Sequence, residues 1–331
     1  MAAGLPDEET YRSTGHLPPD DRVSRIVARA HAELLDDTSG ECSDVYPALR
    51  EAEPDRFGIA LVAADGTTWV EGDAGVEFTL MSVAKPFVFA LVCQHVGADQ
   101  ARRELGANAT GLPFNSIEAI ERTTDGTTNP MVNPGAIAAA SMAPGATPED
   151  RWRWIRDGLS RFAGRELGFD EGIFENASRT NHRNRELVRL LERRGRLHSD
   201  ASEALDRYTR QACLLATAED LAVMGATLAD GGVNPRTGEA IVDATTCHHT
   251  LAVMATAGLY ETSGDWLYQV GLPGKSGISG GIVTVSPGKG GLGTFSPRLD
   301  AAGNSVRGRR VAQFLSGALG LDLFGSRAVV R

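Results

Sequence analysis

Two short strings concentrate the reactive side chains of this sequence. MSVAKPF places Ser82 three residues before Lys85, and GLPGKSGISGGI carries Lys275-Ser276-Gly277 near the other end of the chain. Three residues is nearly one helical turn, so hydroxyl and amine would meet on one face, and a helix N-terminus adds a field that favours an alkoxide. That geometry suits a nucleophile with its own base. A lone S-x-x-K is more often an N-capping serine beside a surface lysine. Two observations weigh against that here. Val83, Ala84, Pro86 and Phe87 would keep the amine poorly solvated, and only Lys85, Lys275 and Lys289 are lysines among 33 basic residues. Arginine is the default cation of this chain, and a desolvated ammonium releases a proton where a guanidinium does not. Lys85 and Lys275 therefore stand where a proton acceptor is useful, whereas Lys289, in PGKGG, reads as a turn residue.

The second string has a glycine-rich, strand-like context. Its glycines would let a substrate approach the backbone closely, with main-chain N–H groups aimed at a developing oxyanion. Taken together, Ser82-x-x-Lys85 and Lys275-Ser276-Gly277 resemble the nucleophile-and-strand arrangement of penicillin-recognising serine enzymes. Competing motifs fail on context. Gly277-Ile278-Ser279-Gly280-Gly281 matches G-x-S-x-G, but an apolar run follows where a helix is needed, and the last histidine, His249, precedes that serine. Gly274-Lys275-Ser276 lacks the first glycine of a phosphate loop, which would fall at Gln269. Cys247, His248 and His249 are adjacent donors without a spaced second pair, so a helix-end cluster is expected there and not a metal site.

The elements that must position these residues follow from periodicity. Val23, Ile26, Val27, Ala30 and Leu34 have helical spacing, and FGIALVAADGTTWVEGD reads as two strands joined at Asp65-Gly66. From Ser82 to about Ala257 the pattern is helical. Thr147 and Asp150 cap a helix carrying Trp152, Ile155, Leu159 and Phe162, and Thr217 and Asp220 cap one carrying Leu221, Met224 and Leu228. Leu187, Leu190 and Leu191 mark another, stopped at Gly195, and Leu205, Tyr208, Ala212 and Leu215 a further one. After Gly258, GGIVTVSPG and GLGTFSP read as strands, and Val311, Phe314, Leu315 and Leu319 as a closing helix. The fold class predicted is α/β (α+β): an antiparallel sheet flanked by helices and built from both chain ends, residues 21–80 and 258–331, with an all-helical domain inserted at 81–257. Residues 1–20, polar and without period, are expected to be disordered.

Composition narrows the partners. At 331 residues the chain has room for about two such units, and its net charge of −10 argues against nucleic acid or an anionic membrane surface. The longest apolar run, Phe87 to Cys93, is far short of the ~18 residues of a membrane-spanning helix. Cys42, Cys93, Cys213 and Cys247 show no C-x-x-C spacing, and MAAGLPDEETYRST has acids where a secretory signal would be basic. A cytoplasmic enzyme with reduced thiols, acting on a small molecule, is the expectation.

Further strings carry a family resemblance. GLPFNSIEAIE, Asn129-Pro130-Met131-Val132-Asn133-Pro134-Gly135, Arg183-Asn184-Arg185, Tyr208 with QACLLAT, Gly258-Leu259-Tyr260, GLPGKSGISGGI and SPRLDAAGNSVRG occur in this order along nearly the whole chain. In this the sequence resembles the serine-dependent glutaminases of the β-lactamase-like superfamily. The resemblance implies hydrolysis of glutamine to glutamate and ammonia without a cofactor, in a homodimer or homotetramer. It implies Ser82 as the acylated nucleophile and Lys85 as its base, with Tyr260 and Lys275 in the catalytic group. Asn133, Asn184, Tyr208 and Tyr260 would line the substrate pocket, and the Ile278 N–H would join that of Ser82 in an oxyanion hole.

Three positions depart from the family pattern. The glutamate seven residues before the Arg-Asn asparagine, which pairs with the substrate ammonium, is here Ala177, and Glu175 could replace it only if the backbone slips. Tyr-Ile-Pro becomes Val45-Tyr46-Pro47, displacing the tyrosine by one residue, and the glutamine before the nucleophile is Met81. These departures keep two alternatives open: a relative acting on another small amide, and a non-catalytic sensor of the same fold.

Overall fold

The hairpin expected at Asp65-Gly66 opens a five-stranded antiparallel sheet. The computed structural model describes residues 15–325, and the strands in chain order are β1 (Gly58–Ala63), β2 (Thr68–Gly72), β3 (Phe78–Thr79), β4 (Gly168–Phe169), β5 (Leu214–Ala216), β6 (Gly274–Ser276), β7 (Gly281–Ser286) and β8 (Gly290–Phe295). The main sheet has the order β2-β1-β8-β7-β6, with β1 pairing β8 in antiparallel register from Gly58–Phe295 to Ala63–Gly290. That pairing joins the early hairpin to the three late strands, so the sheet is assembled from both ends of the described chain.

Alternation along β1 and β7 feeds two cores. Ala60, Val62, Val283 and Val285 face a large core with Phe87, Phe162, Leu221 and Met224, while Ile59, Leu61 and Ile282 face a second one with Val23, Val27, Val311 and Leu315. Helices therefore cover both sheet faces. On the first face the Ala218–Ala229 helix lies directly against β8, because Gly291 and Gly293 present no side chain: a Cβ at Gly293 would come within 1.9 Å of the Ala218 oxygen. The second face is covered by the Asp20–Leu34 and Val306–Leu319 helices.

Local signals behave as their chemistry dictates. Thr147 and Asp150 form a reciprocal capping box on the Pro148–Ala163 helix, as do Thr217 and Asp220 on the Ala218–Ala229 helix. The segment between the sheet halves is not wholly helical, however. It contributes β4 and β5 to a second sheet of order β3-β5-β4, and Leu215, read as part of a helix, lies in β5 after the Ala201–Ala212 helix has ended. Two- and three-residue strands are too short for a period-two pattern to register. Most of the stretch expected to be disordered, residues 1–14, lies outside the described residues, whereas Leu17 packs against the second core. Lys289 sits in the β7–β8 turn and donates to the Gly320 oxygen. Among the described residues no helix is long and apolar enough to cross a membrane.

Candidate active site

Ser82 occupies a short 3-10 turn, Met81–Val83, that runs straight into the Ala84–Val96 helix. This helix is apolar on all sides and buried from Ala84 to Cys93, so it is anchored on every side and Ser82 stands at its N-terminal end. Leu80 N–H donates to the Leu214 oxygen of β5 at 2.8 Å, tying the turn to the small sheet. Gly277 closes on it from β6, where a Cβ would sit 2.9 Å from the Leu80 oxygen. Met81, just before the serine, has a φ of 46°, and Tyr260 has 59°; among the described residues these are the non-glycine positions with positive φ. Such conformations cost about 1–3 kcal/mol each and persist where surroundings over-determine them.

Lys85 is 2 % exposed and, among the described residues, has no carboxylate partner. Its Nζ donates to Asn133 Oδ1 at 2.7 Å and to the Met131 oxygen at 3.4 Å, and it lies 5.8 Å from the Tyr208 ring centre and 6.0 Å from that of Phe114. Burial pushes the amine down to about 7, from the ordinary lysine value. A relay fixes the amide that faces it: Asn133 Nδ2 donates to Asn184 Oδ1 at 2.9 Å, Asn184 Nδ2 to Asn181 Oδ1 at 2.5 Å, and Asn181 Nδ2 to Thr209 Oγ1 at 3.2 Å. Asn133 begins the Asn133–Ser141 helix, with Pro134 in its first turn, and Asn184 lies in the first turn of the His182–Arg193 helix.

On the other side stands Lys275, fully buried in β6. Its Nζ donates to the oxygens of Gly258 at 2.7 Å and Ser276 at 2.8 Å, and lies 4.1 Å from the Tyr260 ring centre. Burial, reinforced by the charge of Lys85, pushes Lys275 well below the ordinary lysine value. At Lys85 itself burial is the cause. Tyr260 links the two strings: its hydroxyl donates to the Ser276 oxygen at 3.2 Å and is hydrogen-bonded to the Ser82 side chain.

A cavity of about 160 Å³ opens over Ser82. Ser82, Asn133, Asn184, Tyr208 and Ile278 are on its lining. Tyr260, expected there too, is not on that lining, and the Phe114 ring packs against it at 4.8 Å between ring centres. Phe114, Asn181 and Thr209, also on the lining, were not singled out from the sequence; only Phe114 lies in a quoted string, GLPFNSIEAIE.

The glutaminase family pattern matches residues 40–324. The chain belongs to the glutaminase family. It is similar to Glutaminase 2 of Yersinia pestis, 60% identical over 316 residues covering 96% of this chain and 93% of that protein, and to a glutaminase of Brucella canis, 44% identical over 94% of this chain and 98% of that one. Among solved structures, the probable glutaminase ybaS superimposes with a TM-score of 0.91 at 38% identity, covering 93% of this chain and 100% of that chain. Mglu in its glutamate form gives 0.87 at 36% identity, covering 92% of this chain and 71% of that chain. The fold is thus the serine β-lactamase-like one.

One side of the cavity carries the positions at which the sequence departs from the expected pattern. Ala177 is on the lining and 2 % exposed, on a regular Glu171–Thr180 helix capped by Asp170. With no slip in that helix, Glu175 stays exposed and off the lining, so it does not take the place of the missing carboxylate. Val45 and Tyr46 both reach the lining, Tyr46 packed with Met81 and Cys213 and its phenol pushed up to about 12 by burial.

Proposed function

We propose that this glutaminase-family hydrolase cleaves the side-chain carboxamide of L-glutamine through an acyl-enzyme on Ser82. The observation that carries the reading is a buried amine, one turn from a cavity-lining serine, whose proton affinity is brought to about 7 by burial. Ser82 Oγ attacks the amide carbon while neutral Lys85 accepts its proton. The C–N bond breaks, the proton passes to the leaving nitrogen, and ammonia departs. Water then attacks the ester, gives its proton back towards Ser82, and glutamate leaves. Backbone N–H groups of Ser82 and Ile278 hold the oxyanion. Asn133, Asn184 and Tyr208 orient the substrate, while Tyr260 and Lys275 position the Ser82 hydroxyl. No metal or organic cofactor takes part. Ammonia release from L-glutamine by the full chain, abolished in Ser82→Ala, tests the assignment; turnover that survives the substitution contradicts it.

We propose, on the family resemblance alone, that the enzyme works in the cytoplasm as a homodimer or homotetramer. Light scattering across a concentration series that returned the 35.1 kDa monomer throughout would contradict the assembly.

A further inference from the structure

Resting on the amidase reading above, we propose that the cavity recognises its substrate by the carboxamide and a distant carboxylate, without using an α-ammonium. The ω-monoamides of dicarboxylic acids that carry no amino group then become substrates at least as good as L-glutamine. Among the described residues that line the cavity none is Asp or Glu, and Arg183 is the one ionised side chain. Its guanidinium donates to the Asn115 oxygen at 2.9 Å and pairs with Glu186 at 3.1 Å, a half-exposed pair that screening keeps weak.

The backbone adds to that positive character. The Ala84–Val96 helix begins two residues after Ser82, the Asn133–Ser141 helix at Asn133 and the His182–Arg193 helix directly after Asn181, and with these residues on the cavity wall three N-terminal ends border it. Each favours an anion and disfavours a cation. Two C-terminal ends reach the same wall, and part of their acceptor capacity is taken: Arg185 donates to the Ser178 and Arg179 oxygens at the end of the Glu171–Thr180 helix, and the Cys213 oxygen accepts from Asp170 N–H. An ammonium seated near Ala177 would leave water without a counter-charge, a handicap of about 10- to 100-fold in binding. An amide with hydrogen in place of the ammonium avoids it.

4-Carbamoylbutanoate is glutamine without its amino group. Ser82 would take its acyl group with release of ammonia, and water would then free glutarate, so one water is consumed per amide cleaved. Steady-state ammonia release from 4-carbamoylbutanoate and from L-glutamine, by the full chain, tests the proposal. The expected result is an equal or higher kcat/KM for 4-carbamoylbutanoate. A preference for glutamine of more than about tenfold overturns the proposal and leaves the amidase reading standing. Absence of ammonia from both amides instead overturns the amidase reading and this inference with it. Ala177→Glu, with Ala177→Gln as a control of similar size, should lower KM for glutamine by about tenfold and raise it for 4-carbamoylbutanoate. A gain shared by the glutamine control would contradict the charge argument. The wild-type comparison stands even if neither variant folds.

Discussion

The wall of the cavity that carries Ser82 is made of groups that hold one another: Lys85 on Asn133, Asn133 on Asn184, Lys275 on two carbonyls and the Tyr260 ring, Tyr260 on Ser82 and Ser276. Among the described residues, the wall that carries Val45, Tyr46 and Ala177 has no acid on its lining. On the first wall a changed side chain orphans a buried polar partner, which costs about 1–3 kcal/mol as well as the chemistry. On the second, a residue such as Ala177 sits on a regular helix whose own bonds do not depend on it. A change on the first wall is therefore costly in itself, whereas a change at Ala177 breaks no side-chain hydrogen bond.

Substitutions on the two walls should separate in kinetics. The largest effect is expected from Lys85→Arg, which keeps a cation but removes the proton acceptor: kcat should fall by about 10²- to 10⁴-fold, read by ammonia release on protein whose melting shows it folded. The wild-type pH profile belongs to the same group. Lys85 titrates at about 7 and acts when neutral, so kcat/KM should climb about tenfold per pH unit below that point and level off above it. A profile flat through that point would mean that Lys85 is not the base. Tyr260→Phe should be milder, since it removes one hydroxyl shared by Ser82 and the Ser276 oxygen. A drop in kcat of about tenfold with KM little changed is expected, and a change confined to KM would put Tyr260 on the recognition wall after all.

Much of this division was legible in the residues. The scarcity of lysine singled out Lys85 and Lys275, and both are buried. The Asp65-Gly66 turn and the Thr147 and Thr217 capping boxes rest on short-range chemistry and appear where their sequences put them. Thr209 was not legible, because it meets Asn181 across two helices distant in sequence, whereas Asn181, three residues before Asn184 at the cap of the same helix, stood at a spacing that could have been read. The positive φ of Met81 and Tyr260 was hidden as well, since neither residue type favours that conformation. β4 and β5 escaped because such short strands carry no period. Whether Glu175 or Ala177 faced the cavity was a question of helical register, answerable only with the helix in view.

The most direct test of the central claim, that Ser82 is the acylated nucleophile, is mass spectrometry of the protein treated with an electrophilic diazoketone analogue of glutamine. The predicted result is one added label on the peptide that contains Ser82, absent in Ser82→Ala. Label on another peptide, or undiminished labelling of the variant, would contradict the account.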